Sequence, residues 1–431
     1  MTSPQIIALT VLVGVVIALI RGGLRAEVVA LTGAAILLIT GTIRPVEVQG
    51  AFASPAIIAL ASLFVITYSM ELSGLLGVLI KYASKLCARL GVTGLWIVIA
   101  LSGAASAFVN NTPIVVLTAP VIRDVAQSLS LSAKRFLIPL SYATILGGAC
   151  TLIGTSTNLL VSDMARNAGQ PAFTLFEITP VALIVALAGG IYLFLFGGSL
   201  LATADDARPL TGLPMRADTA VGDQPDLVPI DRPFRPFAGL VSLTVFMSVI
   251  AVAAFNVIPI AAAAFAGAVV LIVSGTIRAD DAYRGLRPEV LFLIAGMVVI
   301  GLSLEITGLA ALVTNSVLVW LKSAGPYPAL ALLYGATLFL TEILSNAAVA
   351  VLVTPVAVAL AQSLSVNPRP FLVAVMMAAS AAFATPFGYQ TNVLVYQIGK
   401  YNYTDFVRIG IPLNLLTWLV GVLAIPLFFP F

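Results

Sequence analysis

The sequence predicts an all-α integral membrane protein, an inverted repeat of two five-span halves, each with a re-entrant hairpin and a broken helix. Three observations carry this. The chain is 60% hydrophobic and only 9% charged, with a mean hydropathy of +1.11, where a soluble globule carries roughly 25% charged residues. It also repeats itself. Residues 33–75 lie over 267–309 without a gap, sharing Gly-Thr-Ile-Arg (41–44, 275–278) and the carboxylates Glu71 and Glu305. After a one-residue slip the match resumes as NNTPIVVLTAP (110–120) over SNAAVAVLVTP (345–355), AQSLS (126–130, 361–365) and GTSTNLLV (154–161) over GYQTNVLV (388–395). Finally, each half offers an odd number of spans, so the second half must enter the bilayer upside down relative to the first. Duplicated apolar chains of this kind are a common build for secondary transporters.

The elements follow in order. The run 6–20 has no basic residue before it, and Arg21 and Arg25 come after it, the reverse of a secretory leader; it reads as the first span. The first half then continues with spans near 26–43, 53–73, 136–163 and 174–198. The second half has them near 236–255, 258–276, 287–306, 370–398 and 404–428. Each is close to the ~20 residues that cross the hydrocarbon. Between the third and fourth spans of each half lie two short apolar arms joined by a polar tip, hairpins near 93–125 and 328–362. Amphipathic pieces at 75–90 and 309–322 precede the hairpins and read as surface helices. The domain boundaries are 1–202 for the first repeat, 203–237 for a cytoplasmic linker and 238–431 for the second repeat. With both termini outside, all of the 21 Lys and Arg except Arg44, Arg166, Lys322 and Arg369 fall inside, as the positive-inside rule asks.

Composition also excludes. There is no histidine, so His-based acid–base chemistry and the usual zinc sites are absent, and most membrane-hydrolase readings fail with them. Cys87 and Cys150 form no motif. The protein is not expected to be an enzyme.

The polar groups at mid-membrane depth carry the chemistry. They are Asn110-Asn111-Thr112, Gly154 to Asn158, Ser345-Asn346, and Gly388 to Asn392. Unpaired polar groups there cost several kcal/mol each, so irregular backbone persists only where protein or a ligand-filled cavity satisfies it. Pro113 suits a first helical turn with Thr112 or Asn111 as N-cap; Asn158 or Thr157, and Asn392 or Thr391, can cap the second halves of the broken helices. Four helix N-termini would then converge, an anion site without Lys or Arg. Helix ends with free carbonyls suit a hard cation such as Na⁺. Ser106 and Thr341 stand four residues before each tip. With Asn110, Asn111, Ser345 and Asn346 they make two quasi-symmetric oxygen clusters. The bland alternative is that such residues bond neighbouring helices. Glu71 and Glu305, at the ends of the third spans, read as carboxylates reaching interfacial water, with a proton-coupling role open beside that reading. Glu342, opposite Ala107, either tunes one cation site or is a satisfied buried acid.

At these motifs the chain resembles the divalent anion–sodium symporter family within the ion-transporter superfamily. The tips Asn110-Asn111-Thr112 and Ser345-Asn346-Ala347 resemble its paired Ser-Asn-Thr motifs. The stretches at 137–161 and 383–396 are similar to its sulfate-permease-like bacterial branch. The resemblance implies Na⁺ at the hairpin tips and the adjoining breaks, so Gly154 and Gly388 join the cation residues. It implies an anion held by Asn111, Thr112, Thr157, Asn158, Asn346, Ala347, Thr391 and Asn392. It further implies a homodimer in a bacterial inner membrane, an elevator motion, and no organic cofactor. Two departures are Ala347, where a Thr is common, and the short linker, which leaves no room for the branch's regulatory domains. The expected function is Na⁺-coupled symport of a small divalent anion, sulfate or a dicarboxylate. A proton-coupled or antiporting relative, exporting arsenite or exchanging Na⁺ for H⁺, stays open beside it. A passive channel and an intramembrane enzyme fit less well.

Overall fold

The computed structural model describes residues 1–21, 23–75, 77–78, 82, 85, 89–201, 233–312 and 325–431. Among the described residues every regular element is helical. The first half runs α1 (Ser3–Arg21), α2 (Ala26–Ile39), α3 (Pro45–Phe52), α4 (Pro55–Leu72), α5 (Val92–Ser106), α6 (Asn111–Ser128), α7 (Lys134–Gly148), α8 (Ser156–Asn167) and α9 (Thr179–Tyr192). A π-turn, Leu193–Gly197, prolongs α9. The second half repeats the order: α10 (Pro236–Ala254), α11 (Ile260–Val273), α12 (Ala279–Gly285), α13 (Pro288–Ile306), α14 (Pro326–Thr341), α15 (Asn346–Ser363), α16 (Arg369–Ser380), α17 (Gln390–Gly399) and α18 (Tyr403–Phe428).

Repeated sequence makes repeated backbone. The Gly-Thr-Ile-Arg motifs turn on left-handed glycines, Gly41 at φ +69° and Gly275 at φ +70°. Gly74 and Gly308 match at +73° and +71°, and each Ala-Gln-Ser-Leu-Ser motif ends its helix on a left-handed serine, Ser130 and Ser365. Proline at the first helical position starts both α4 and α13, where its missing N–H costs nothing.

Among the described residues six segments are long and apolar enough to cross a bilayer: Pro45–Leu72, Thr179–Gly197, Pro236–Ala254, Pro288–Ile306, Asn346–Ser363 and Tyr403–Phe428. Large apolar side chains such as Ile39, Phe255 and Val273 stand more than four-fifths exposed, which a lipid surround accounts for. The chain is a multi-pass membrane protein.

The expected spans at 136–163 and 370–398 are each two helices, α7 with α8 and α16 with α17, separated by breaks at 149–155 and 381–389. The hairpin arms differ from the short pieces expected. α5 and α14 have 15 and 16 residues, α6 and α15 have 18 each. The polar Arg123, Asp124 and Gln127 continue α6 as a helix beyond its apolar stretch. The surface pieces expected at 75–90 and 309–322, and the linker at 203–237, lie largely outside the described residues.

The helices pack in two sets. In one, α2 lies on α13 and α4 on α11, crosswise between halves, with α1 and α10 outside them. In the other, α5 packs on α7, α14 on α16, α9 on α18, α6 on α17 and α15 on α8. The sets meet where α13 packs on α15 and α4 on α8; the repeat counterparts, α4 with α6 and α13 with α17, make no comparable contact. Small residues let backbones approach. A Cβ on Gly296 would stand 2.7 Å from the Ala30 carbonyl carbon, and one on Gly147 would overlap the Gly103 carbonyl. Gly147→Val should therefore destabilise at the upper end of about 1–3 kcal/mol. Gly14→Ala, with nothing within 4 Å of the new methyl, should leave the thermal unfolding midpoint in detergent unchanged.

Candidate substrate and cation site

Each polar tip is a helix start. Asn110 is the N-cap of α6, its Oδ1 accepting the Thr112 N–H at 3.3 Å. Ser345 caps α15 by accepting from Ala348 N at 3.4 Å, and Thr155 caps α8 through Thr157 N at 3.1 Å. These are corrections: Asn111 and Thr112 lie inside α6, while Thr157 and Asn158 lie inside α8. α17 starts at Gln390 with no side-chain cap, so Thr391 and Asn392 cap nothing. The cap moves outward in the first half because short polar side chains with non-helical backbone stand upstream, Asn110 before Asn111 and Thr155 two residues before Thr157.

The displaced asparagines do something else. Asn158 Nδ2 donates to the carbonyls of Ala149 and Thr151, and Asn392 Nδ2 to those of Ala382 and Thr385. Repeat-related side chains thus close both breaks by bonding the carbonyls that the interrupted helices leave unpaired. Thr157, Asn158, Thr391 and Asn392 are all at most 1% exposed. Ser141 Oγ bonds both Thr391 Oγ1 (2.8 Å) and Asn392 Oδ1 (2.7 Å).

Two oxygen clusters result. In the first half Ser106 Oγ donates to Asn111 Oδ1. A Cβ on Gly148 would lie 2.6 Å from that same Oδ1, and one on Gly154 would press on the carbonyls of Gly148 and Ala107. In the second half Thr341 Oγ1 lies 2.8 Å from Asn346 Oδ1 and 2.7 Å from Ala379 O. One hydroxyl hydrogen there faces two acceptors, so oxygens outnumber donors. Next to it, a Cβ on Gly388 would stand 2.9 Å from Thr385 Oγ1 and 3.3 Å from Glu342 Oε2.

The tips also meet the opposite half. Asn111 Nδ2 donates to Tyr389 Oη at 2.8 Å and Thr112 Oγ1 to Gln390 Oε1 at 3.2 Å. The counterpart surfaces, Asn346 and Ala347 toward Thr155 and Ser156 on α8, carry no such bonds. Asn346 Nδ2 and Asn158 Oδ1 are buried without a protein partner, although their repeat mates are paired. Tyr389 and Gln390 were not among the residues expected in the site. Their signal was the mismatch in an otherwise close alignment, Tyr389-Gln390 against Thr155-Ser156.

Glu342 is the largest departure from symmetry. Its Oε1 accepts from Phe383 N (2.9 Å), Ala384 N (2.7 Å) and Asn414 Nδ2 (2.7 Å); its Oε2 accepts from Thr385 N (2.9 Å) and Thr385 Oγ1 (2.8 Å). That set saturates a carboxylate. Glu342 is therefore a half-buried carboxylate satisfied by the break, which ties α14 to the 381–389 loop. Glu71 and Glu305 sit next to the last residues of α4 and α13, at the helix ends expected. Glu342→Gln sets an amide N–H against backbone N–H groups. It should lose at least about 3 kcal/mol in thermal unfolding, since several bonds of roughly 1.5–3 kcal/mol go together. Ser141→Ala, removing neutral bonds, should lose about 1 kcal/mol.

The arrangement agrees with what the chain is similar to. An uncharacterized transporter of Synechocystis is 26% identical across 98% of this chain and 97% of its own length. The uncharacterized transporter YfbS of Escherichia coli is 22% identical across all of both chains. Sodium/sulfate cotransporter 1 of Chlamydomonas reinhardtii is 35% identical, over 36% of this chain and 18% of that protein. Among solved structures, the YdaH transporter of Alcanivorax borkumensis superposes with a TM-score of 0.60 at 16% identity, covering 88% of this chain and 86% of that one, a likeness of fold. The model of the citrate transporter family (CitMHS) matches residues 15–366, so the chain belongs to that transporter family.

Proposed function

We propose that this protein is a secondary active transporter coupling Na⁺ to the uptake of a small divalent anion, with sulfate favoured over a dicarboxylate. The observation that carries the reading is the pair of repeat-related oxygen clusters at the two tips. The first joins the Ser106 hydroxyl to the Asn111 amide oxygen, which lies beside Gly148, and the second sets the Thr341 hydroxyl between the Asn346 amide oxygen and the Ala379 carbonyl, more acceptors than hydrogens. A hard monovalent cation satisfies such a surplus, and a cation is what an anion needs to enter against a negative interior. The cation residues are Ser106, Asn110, Asn111 and Gly154, with Thr341, Ser345, Asn346 and Gly388.

The anion lies between the tips. The buried, unpaired Asn346 Nδ2 is a donor in a site that an acceptor-only anion would fill, and the N-terminus of α15 adds its dipole. Thr112 and the N-terminal turns of α8 and α17 complete the ring, with Asn158, Thr157, Thr391 and Asn392 holding the breaks in shape behind it. Ala347 offers no hydroxyl, and the larger Tyr389 stands at the position that Thr155 holds in the other half. A compact tetrahedral anion asks for fewer donors along the site than an extended carboxylate. The cotransporter relative supports the sulfate–sodium pairing.

In this reading the two halves are inverted, and the tip-bearing set moves as an elevator against the α1–α4 and α10–α13 scaffold. The protein works as a homodimer with both termini outside. The one-sided contacts of α13 with α15 and α4 with α8 are those of a single facing state.

The test is sulfate uptake into proteoliposomes under an imposed Na⁺ gradient, with succinate and citrate as competitors and a pH gradient as the rival driving force. Asn111→Ala and Asn346→Ala should each abolish uptake. Gly154→Ala, which puts a methyl 2.8 Å from the Ala107 oxygen, should raise the Na⁺ requirement at least about tenfold, roughly 1.4 kcal/mol of cation binding. Wild-type uptake in either asparagine variant sinks the two-tip site, and uptake driven by pH alone makes the protein a proton-coupled relative.

A further inference from the structure

A buried carboxylate, Asp163, lies outside the tips and takes no part in the site described above. It belongs to α8, in the tip-bearing set, yet its Oδ2 accepts from Ser54 Oγ at 2.5 Å, and Ser54 is the N-cap of α4 in the other set. The same Ser54 Oγ accepts the Ala56 N–H at 3.1 Å, so one hydroxyl both starts a scaffold helix and grips the neighbouring body. Arg166 bonds the other carboxylate oxygen at 3.1 Å. Ser54 and Asp163 are 3% and 6% exposed. Asp163, with Pro55 and Ala56 next to Ser54, lines a cleft of about 340 Å³ between the two helix sets, along with Phe173, Asn256 and Ile260.

The repeat sharpens this. The positions equivalent to Ser54 and Asp163 are Pro288 and Gln397. Proline has neither hydroxyl nor N–H, and glutamine has no charge, so the second half cannot make the same bond. Correspondingly, α4 packs on α8 whereas α13 and α17 make no comparable contact.

We propose that Asp163 is a positioning residue of the transport cycle: its bond to Ser54 latches the tip-bearing helices to the scaffold in one facing state. The inference rests on the moving-body reading of the transporter. An inverted repeat without asymmetric contacts would leave its two facing states equally stable. A charge-assisted bond present in one state and impossible in its mirror tilts that balance, by roughly tenfold or more for a bond of this class. Each cycle must break it, so the latch sets how readily the loaded and empty carriers leave this state.

The test uses the full chain with Cys87→Ala and Cys150→Ala. With Ser54→Cys and Asp163→Cys added, mercury or mild oxidation should bridge the pair and stop uptake, and a reductant should restore it. Failure to bridge, or uptake by the bridged protein at the unbridged rate, overturns the latch. Separately, Ala261→Cys on the cleft wall is labelled with a membrane-impermeant maleimide. Ser54→Ala and Asp163→Asn should each change that rate about tenfold, and Ser54→Thr, which keeps the hydroxyl, should return it to the wild-type value. An unchanged rate in both also overturns the latch, and a single elution peak in detergent verifies that each variant is folded. The labelling arm needs no transport. If the wild type moves no anion under any gradient, the transport reading fails while the latch is still decided.

Discussion

Interrupting a helix inside a bilayer exposes carbonyls and amides where no water can reach them, and everything at the centre of this protein answers that constraint. Two buried asparagines, Asn158 and Asn392, each bond two loose carbonyls of their own break. In the second half the loose amides are also met, by the carboxylate of Glu342. Once the breaks are closed from within, their remaining polar atoms can face a shared space with the hairpin tips. Gly154 and Gly388 lie within those closed breaks. Glycine is what allows the approach, since a methyl at either position would stand on carbonyl or side-chain atoms.

Much of this was legible in the sequence. The duplication, the hairpins and the broken helices could be read because apolar runs and polar interruptions are strong signals, and because two copies corroborate one another. The cluster pairs Ser106–Asn111 and Thr341–Asn346 came from equal spacing in both copies, and the structure places each pair within bonding reach. What could not be read was which polar side chain serves which helix end. A run such as Thr155-Ser156-Thr157-Asn158 offers several caps of similar propensity, and only the packed carbonyls behind it select Thr155. Long-range contacts were also hidden. Tyr389 touching Asn111 across the halves, and Ser54 gripping Asp163 within the first, join residues far apart in sequence and have no repeat partner to announce them. Each did leave a trace, as a position where the copies disagree.

Disagreement between the copies is thus as informative as agreement. The shared residues build the closed breaks and the oxygen clusters. The unshared ones, Tyr389, Glu342, Asp163 and Ala347, fall at the tip-to-break contact, the carboxylate nest, the boundary between helix sets and the second tip. If the halves are inverted as proposed, the symmetric parts would allow two mirror-related arrangements and the asymmetric parts would decide how those arrangements differ.

Glu342 carries this furthest. Held by the amides of residues 383–385, it ties the second hairpin to the second break as one piece. Where that piece travels across the bilayer, its negative charge travels with it. A full elementary charge crossing the membrane potential is worth about 2.3 kcal/mol per 100 mV. Under the proposed elevator motion Glu342 would be one of several charges carried with the tip-bearing helices, Asp163 and Arg166 of α8 among the others, so the net charge of that body would set how the membrane potential acts on its loaded and empty passages. Glutamate stands in one copy of the repeat where the other has alanine, so the two hairpins differ in charge as well as in sequence.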